Sequence, residues 1–294
     1  MISFGGKVSK IGIVYNDGLG EEKKISLLST NHVGSTILAL GHHVVRLPVS
    51  RGLSPEKLKK FDLVFNLAFG KYGEDGQLSA LLETLDIPFI GPSSRNCLLT
   101  FHKKITKQIL NQNGIKVPKE TKIPPFVLKP SCGGSSSRVT LVKNSSQKKF
   151  LPQNNLEWIY EEFLPGREFS VTAFLKNKKL VCLPPAEVKK AEEVFTQEEK
   201  YGLTSNFLEV PAKIDKKLNY RLKEICQKCY SLLGCFFYTK VDVILDKDGQ
   251  PNVIEVDGIP GFGPKSVITQ AAAAVGISFR QLVCYLLKEA GVKE

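Results

Sequence analysis

Apolar and polar positions along this chain switch repeatedly between two periods. Ile11–Tyr15 is an unbroken apolar run closed by Asn16-Asp17-Gly18, which predicts a buried strand ending in a turn. From Glu21 to Leu40 the residues Ile25, Leu28, Val33, Ile37 and Leu40 recur on one helical side, and Gly41 supplies the stop. His43–Leu47 and Leu63–Leu67 are again short apolar runs, Leu78–Leu85 has helical period, and Pro88–Ile90 leads into Gly91-Pro92. Strand and helix in this rhythm predict a small doubly wound domain over residues 1–92.

A second stretch, 93–165, carries a helix over Lys103–Asn113 closed by Gly114, strands at Phe126–Lys129 and Arg138–Val142, and a further run at Trp158–Phe163. A third, 166–294, opens on a strand at Glu168–Leu175, followed by a hairpin and a long helix at Asp215–Leu233. It continues with a second hairpin turning at Asp246–Gly249 and two terminal helices, the last entered through the capping-box pair Ser278 and Gln281. The fold class is mixed α/β, in three α/β domains.

Composition narrows the function. The 294 residues suffice for several cores, and 42% hydrophobic with 24% charged is ordinary for a globular chain. No apolar run is long enough to cross a bilayer and MISFGGKVSK is no signal peptide, so a cytoplasmic protein without a membrane partner is expected. The net charge of +12 permits a polyanionic ligand, but the lysines are spread along the chain without a nucleic-acid module, so no nucleic-acid partner is expected. Seven scattered cysteines exclude a secreted disulfide framework. Cys226-x-x-Cys229 falls inside a helical period with no second pair nearby, which leaves reduced thiols as its reading.

Three stretches could carry chemistry. In "FVLKPSCGGSSSRV" (126–139) a strand ends on Lys129 and runs into small residues. Exposed backbone N–H groups of that kind cradle phosphate oxygens, and a flexible hairpin turn would look the same. In "KVDVILDKDGQPNVIEVD" (240–257), a turn centred on Lys247–Gln250 sets Asp242 opposite Glu255 and Lys240 opposite Asp257, all on one face. Three carboxylates there call for a cation, with Mg²⁺ suited to hard oxygen donors, or else the face is simply solvated. In "EEFLPGREFSV" (161–171), acids flank an apolar strand edge suited to an adenine nucleoside; a connector between domains is the alternative.

Taken in order, these parts resemble the ATP-grasp superfamily and, within it, the D-alanine:D-alanine ligases. The strings that carry the resemblance are "GEEKKISLLS", "YGEDGQLSALLE", "IPFIGPSS", "KPSCGGSSS", "EEFLPGREFSV", "EKYGLTS", "VDVILDKDGQPNVIEVDGIPG" and "SFRQLV". The resemblance implies an ATP-grasp fold and an ATP-dependent enzyme that makes D-alanyl-D-alanine through an acylphosphate, for peptidoglycan, with one or two Mg²⁺ ions and a homodimeric assembly. It implies phosphate contacts from Lys103, Lys129 and Ser136. Glu161, Glu162 and Leu164 would sit at the adenine, and Glu168 at the ribose. Asp242, Glu255 and Asp257 would be the Mg²⁺ ligands. Glu22 would anchor the first amino group with Ser135 and Tyr201, Lys200 would lie over the transferred phosphate, Gly261 would donate to the oxyanion, and Ser266 would meet the second carboxylate.

The chain departs from the family pattern at several of these places. Lys240 stands where an arginine is usual, Asp257 where an asparagine is, Phe69 where a histidine is common, and Lys24 replaces an acid. The loop "DGIPGFGPKS" and Val267 after it are also unusual. These departures leave open a ligase joining other amino acids, or a nucleotide-binding protein with weakened turnover.

Overall fold

The computed structural model describes residues 8–18, 21–133, 139–150, 157–189 and 208–292. The first part is a four-stranded parallel sheet in the order β2-β1-β3-β4, built from β1 (Lys10–Tyr15), β2 (His43–Pro48), β3 (Leu63–Leu67) and β4 (Phe89–Ile90). The helices α1 (Glu21–Ala39), α2 (Pro55–Leu58) and α3 (Gln77–Thr84) alternate with the strands. Every residue of β3 is buried, as expected of a central parallel strand covered on both faces.

Helix α1 differs from its sequence pattern in one respect. Leu28 is exposed, while Ser26, Ser29 and Thr30 are fully buried beside Val33 and Ile37. Ser26 Oγ donates to the Leu67 carbonyl and accepts from Asn16 N at 2.8 Å, and Ser29 Oγ accepts from Phe262 N at 3.0 Å. Backbone groups that would otherwise be orphaned select serine over leucine on the inner face.

The helices α4 (Ser94–Phe101) and α5 (Lys103–Gln112) lead to a three-stranded antiparallel sheet, β6-β5-β7. Its strands are β5 (Phe126–Pro130), β6 (Thr140–Val142) and β7 (Trp158–Glu162). The third sheet has six strands: β8 (Glu168–Lys176), β9 (Lys179–Cys182), β10 (Ala186–Val188), β11 (Leu208–Glu209), β12 (Tyr238–Leu245) and β13 (Pro251–Asp257). Its order is β11-β10-β8-β12-β13, with β9 paired to β8. The helices of this part are α6 (Lys216–Leu232), α7 (Val267–Ala273) and α8 (Phe279–Glu289), the last carrying the expected Ser278–Gln281 capping box.

The stretches read as separate domains share buried side chains. Phe65 of β3 packs against Tyr238 and edge-on against Phe262, and all three belong to one core with Ile268, Leu282 and Leu286 from α7 and α8. A second core joins α6 to the outer face of the third sheet, and there Cys226 and Cys229 are fully buried. All seven cysteines are free, and burial holds the Cys229 thiol well above its ordinary pKa. Among the described residues no helix is long and apolar enough to cross a membrane.

Phe65→Ala should cost about 3–5 kcal/mol of unfolding free energy, against less than about 0.5 kcal/mol for Leu38→Ala on the exposed side of α1. Equal losses in urea denaturation would show that Phe65 does not occupy the core contact described here.

Candidate active site

The hairpin β12–β13 supplies the floor of the site. Lys240 lies opposite Asp257 and Asp242 opposite Glu255, the register expected from the alternation. The route to that register is different. Past this point Val243 faces Val253 and Leu245 faces Pro251, so Ile254 has no opposite residue. A five-residue connection, Asp246–Gln250, shifts the ladder by one, and the bulge at Ile254 shifts it back. The bulge also turns the Ile254 carbonyl toward Lys129, whose Nζ donates to it at 3.2 Å.

Helix geometry places the second lysine. Helices α4 and α5 break at His102, which forms a bridge with Cys132 beyond β5. Lys103 N then donates to the Ser131 carbonyl at 2.8 Å, which pins the first turn of α5 to the end of β5. From there Lys103 Nζ reaches Glu255 Oε1 at 3.1 Å and also contacts the Gly133 carbonyl, at the start of the Ser/Gly tract. The acidic ribbon and the described part of that tract therefore face each other across Lys103.

The ion pairs compensate one another. Lys129 Nζ is 3.0 Å from Glu161 Oε2, and both side chains are close to nine-tenths buried. Burial disfavours the Lys129 ammonium, but Glu161 and then Glu255 outweigh it and hold its pKa above the ordinary value. Burial likewise works against the Glu161 carboxylate, and Lys129 and Lys107 together keep its pKa below the ordinary value. Lys240 Nζ contacts Asp242 and lies 2.7 Å from Asp257. Against the penalty of burial, Asp242, Asp257 and Glu255 hold Lys240 firmly protonated. Asp242 also accepts from Ser170 Oγ at 2.5 Å.

Asp242, Glu255 and Asp257 thus share one ribbon face, with ammonium groups as their counter-ions. Among the described residues no three acidic, histidine or cysteine side chains form a ready-made metal cage. The donor set is all carboxylate oxygen, which fits Mg²⁺ that completes its shell with phosphate oxygens and water. Ser170 was not singled out from the sequence, although a polar residue on an otherwise buried strand is a usable signal.

Glu168 is buried at the start of β8, on the same face as Ser170. The Glu162 N–H already donates to the Lys119 carbonyl at 2.9 Å, and Leu164 follows in the half-buried connector to β8. Glu22 opens α1 and packs against Gly70, where a Cβ would come within 3.2 Å of its Cγ. Gly261 lies beside Ser266, whose Oγ is 3.0 Å from where a Cβ on Gly261 would sit. Phe69 is buried two residues beyond β3. Ser135, Ser136, Lys200 and Tyr201 lie outside the described residues.

Glu74 is an addition to the expected set. It lines the same cleft as Lys103, Gly133, Glu255 and Asp257, and its Oε2 accepts from Gly70 N at 2.5 Å. Burial first, and the Asp257 carboxylate next, push its pKa up to about 8. The motif "YGEDGQLSALLE" contained it, but nothing in the spacing separated Glu74 from the neighbouring acids.

A family model described as D-ala D-ala ligase C-terminus matches residues 97–288. The chain is 32% identical over 292 residues to a D-alanine--D-alanine ligase of Petrotoga mobilis, covering 94% of this chain and 96% of that protein. It is 32% identical over 304 residues to a D-alanine--D-alanine ligase of Carboxydothermus hydrogenoformans, covering 93% and 96%. Among solved structures, VanG D-Ala:D-Ser ligase from Enterococcus faecalis shares the fold with a TM-score of 0.82 at 23% identity, over 97% of this chain and all of that one. The D-alanine--D-alanine ligase of Bacillus anthracis complexed with ATP superposes with a TM-score of 0.79 at 26% identity, over 97% and 99%. The fold is thus the ATP-grasp fold of these ligases.

The raised pKa of Glu74 has a stability consequence. Between an ordinary carboxyl value and about 8 the unfolded chain loses this proton while the folded chain keeps it, so rising pH destabilises the fold across that window. Glu74→Gln should match wild type at pH 4 and exceed it by about 1–3 kcal/mol above pH 8, allowing for screening on the open side of the cleft. A stability difference independent of pH in denaturant titrations would refute the assignment.

Proposed function

This chain belongs to the D-alanine--D-alanine ligase family, and from that premise we infer that it joins two D-alanines into D-alanyl-D-alanine, with ATP converted to ADP and phosphate, for peptidoglycan precursor synthesis. The observation that carries this reading is the meeting of Lys103 and Lys129 with Glu255 and the Ile254 carbonyl, opposite Gly133. Two cations from the helix and sheet of one region converge on the acidic ribbon of another, which is an arrangement suited to a triphosphate.

In this reading Lys103 and Lys129 take the terminal phosphates, with Ser136 adding a backbone contact. Glu161, Glu162 and Leu164 border the adenine and Glu168 the ribose hydroxyls. Asp242, Glu255 and Asp257 would hold Mg²⁺, one ion or two, which when bound neutralises charge on the phosphoryl oxygens. Glu22, with Ser135 and Tyr201, anchors the amino group of the first D-alanine so that its carboxylate faces the γ-phosphorus. Attack there gives an acylphosphate and ADP; Lys200 and Lys240 stabilise the charge that develops. The amine of the second D-alanine, oriented through its carboxylate on Ser266, then attacks the activated carbonyl. The Gly261 N–H donates to the oxyanion, and phosphate leaves carrying the proton that the second amine gives up. No side chain acts as a covalent nucleophile. The Ser/Gly tract excludes water from the acylphosphate.

Residence in the cytoplasm belongs to the same reading, as does assembly as a homodimer, which rests on the resemblance. A second reading, a ligase for other amino acids, is favoured by the apolar loop around Gly261 and by Lys240 in place of the usual arginine.

With ATP, Mg²⁺ and D-alanine as the only amino acid, release of phosphate should accompany a dipeptide of two alanines in the mass spectrum. Phosphate release only with other amino acids would select the second reading. Lys129→Ala and Glu255→Ala should each lower turnover by about 100-fold or more while remaining folded. Near wild-type rates in either would contradict the site drawn here. Lys240→Arg should keep turnover within about ten-fold of wild type or raise it, because the charge is retained and a planar fork gained. A loss of about 100-fold would mean that the arginine geometry does not transfer to this position.

A further inference from the structure

Helix α5 presents two buried lysines one turn apart, and the reaction scheme uses only the first. Lys103 reaches Glu255 on β13, and four residues on, Lys107 reaches Glu161 on β7. Lys104 between them points outward and pairs with exposed Glu157 at 3.2 Å. The Lys107 side chain is 11% exposed. A second buried lysine beside a proposed phosphate-binding pair needs an explanation, since an ammonium is costly to remove from water.

The contacts supply it. Glu161 divides its two oxygens, Oε1 to Lys107 and Oε2 to Lys129. Lys129 has a second partner in the Ile254 carbonyl, one residue before Glu255. Lys107 has Glu161 as its ion-pair partner. One buried carboxylate thus serves two lysines at once.

We propose that Lys107 is a positioning residue for nucleotide binding: it keeps the buried Glu161 carboxylate compensated, so that Lys129 can turn its ammonium from Glu161 to a polyphosphate. This rests on the nucleotide-binding reading above. Without Lys107, Lys129 would be the sole cation on a buried carboxylate, and a phosphate would have to compete with that pair. Burial and the neighbouring Lys129 ammonium bring the Lys107 pKa down to about 7, with Glu161 opposing them. Movement of Lys129 toward a phosphate removes the repulsion and leaves Glu161 to Lys107, which favours the charged form when it is required.

The test is a double-mutant cycle on the full chain, read as the affinity for ATP with Mg²⁺ by calorimetry, without amino acid. Lys107→Met should weaken ATP binding by about ten-fold or more in the wild-type background, yet by less than about three-fold when Glu161 is already Gln. Lys107→Arg, which keeps the charge, should retain most of the affinity. A lysine that only stabilised the fold would lower the melting temperature and leave ATP affinity unchanged, or would weaken binding equally in both backgrounds; either result overturns the proposal. Should Lys107→Met alone fail to fold, the Glu161→Gln background decides, and a further ten-fold loss there also overturns it. A wild-type chain that binds no ATP would remove the nucleotide reading and this proposal together, whereas normal wild-type binding with no coupling removes the proposal alone.

Discussion

An ammonium group taken out of water is stable only where carboxylates or carbonyls meet it. In this chain Lys103, Lys129 and Lys240 meet theirs on strands of two different sheets. Backbone features next to these charges bring them together. A break between two helices at His102 fixes where Lys103 starts, and a bulge at Ile254 supplies a carbonyl to Lys129. The aromatic core of Phe65, Tyr238 and Phe262 holds the loop with Gly261 against the parallel sheet, while Glu22 enters from the first turn of α1.

The charges are balanced for exchange rather than for stability. Buried ion pairs contribute little net stability, because desolvation offsets much of their attraction. Here each proposed phosphate lysine is held by a carboxylate, and Lys129 also by the Ile254 carbonyl. A ligand carrying its own negative oxygens, together with a divalent ion for the carboxylates, can replace these internal pairs with external ones. The folded chain is thus spared uncompensated charge before the ligand arrives, and the lysines are already located.

Much of this was legible in the residue pattern. The alternation in "KVDVILDKDGQPNVIEVD" predicts the pairing of Asp242 with Glu255 and of Lys240 with Asp257, because side-chain direction in a strand has period two. The bulge was not legible: whether a turn has four or five residues is decided by local backbone geometry, and a compensating bulge leaves the register at the site unchanged. Lys107 and Glu74 were missed for another reason. A lysine in a lysine-rich helix and an acid among acids look like solvated surface until tertiary packing buries them. Leu28 shows the converse, an apolar residue at helical spacing that faces outward because Ser26 and Ser29 are needed inside for hydrogen bonds.

The most direct measurement of the central claim is a crystal structure with Mg²⁺ and a non-hydrolysable ATP analogue. The analogue's terminal phosphates should lie within hydrogen-bond reach of Lys103 and Lys129, with metal density against Asp242, Glu255 and Asp257. A nucleotide bound elsewhere, with Lys103 still on Glu255 and Lys129 still on Glu161, would contradict it.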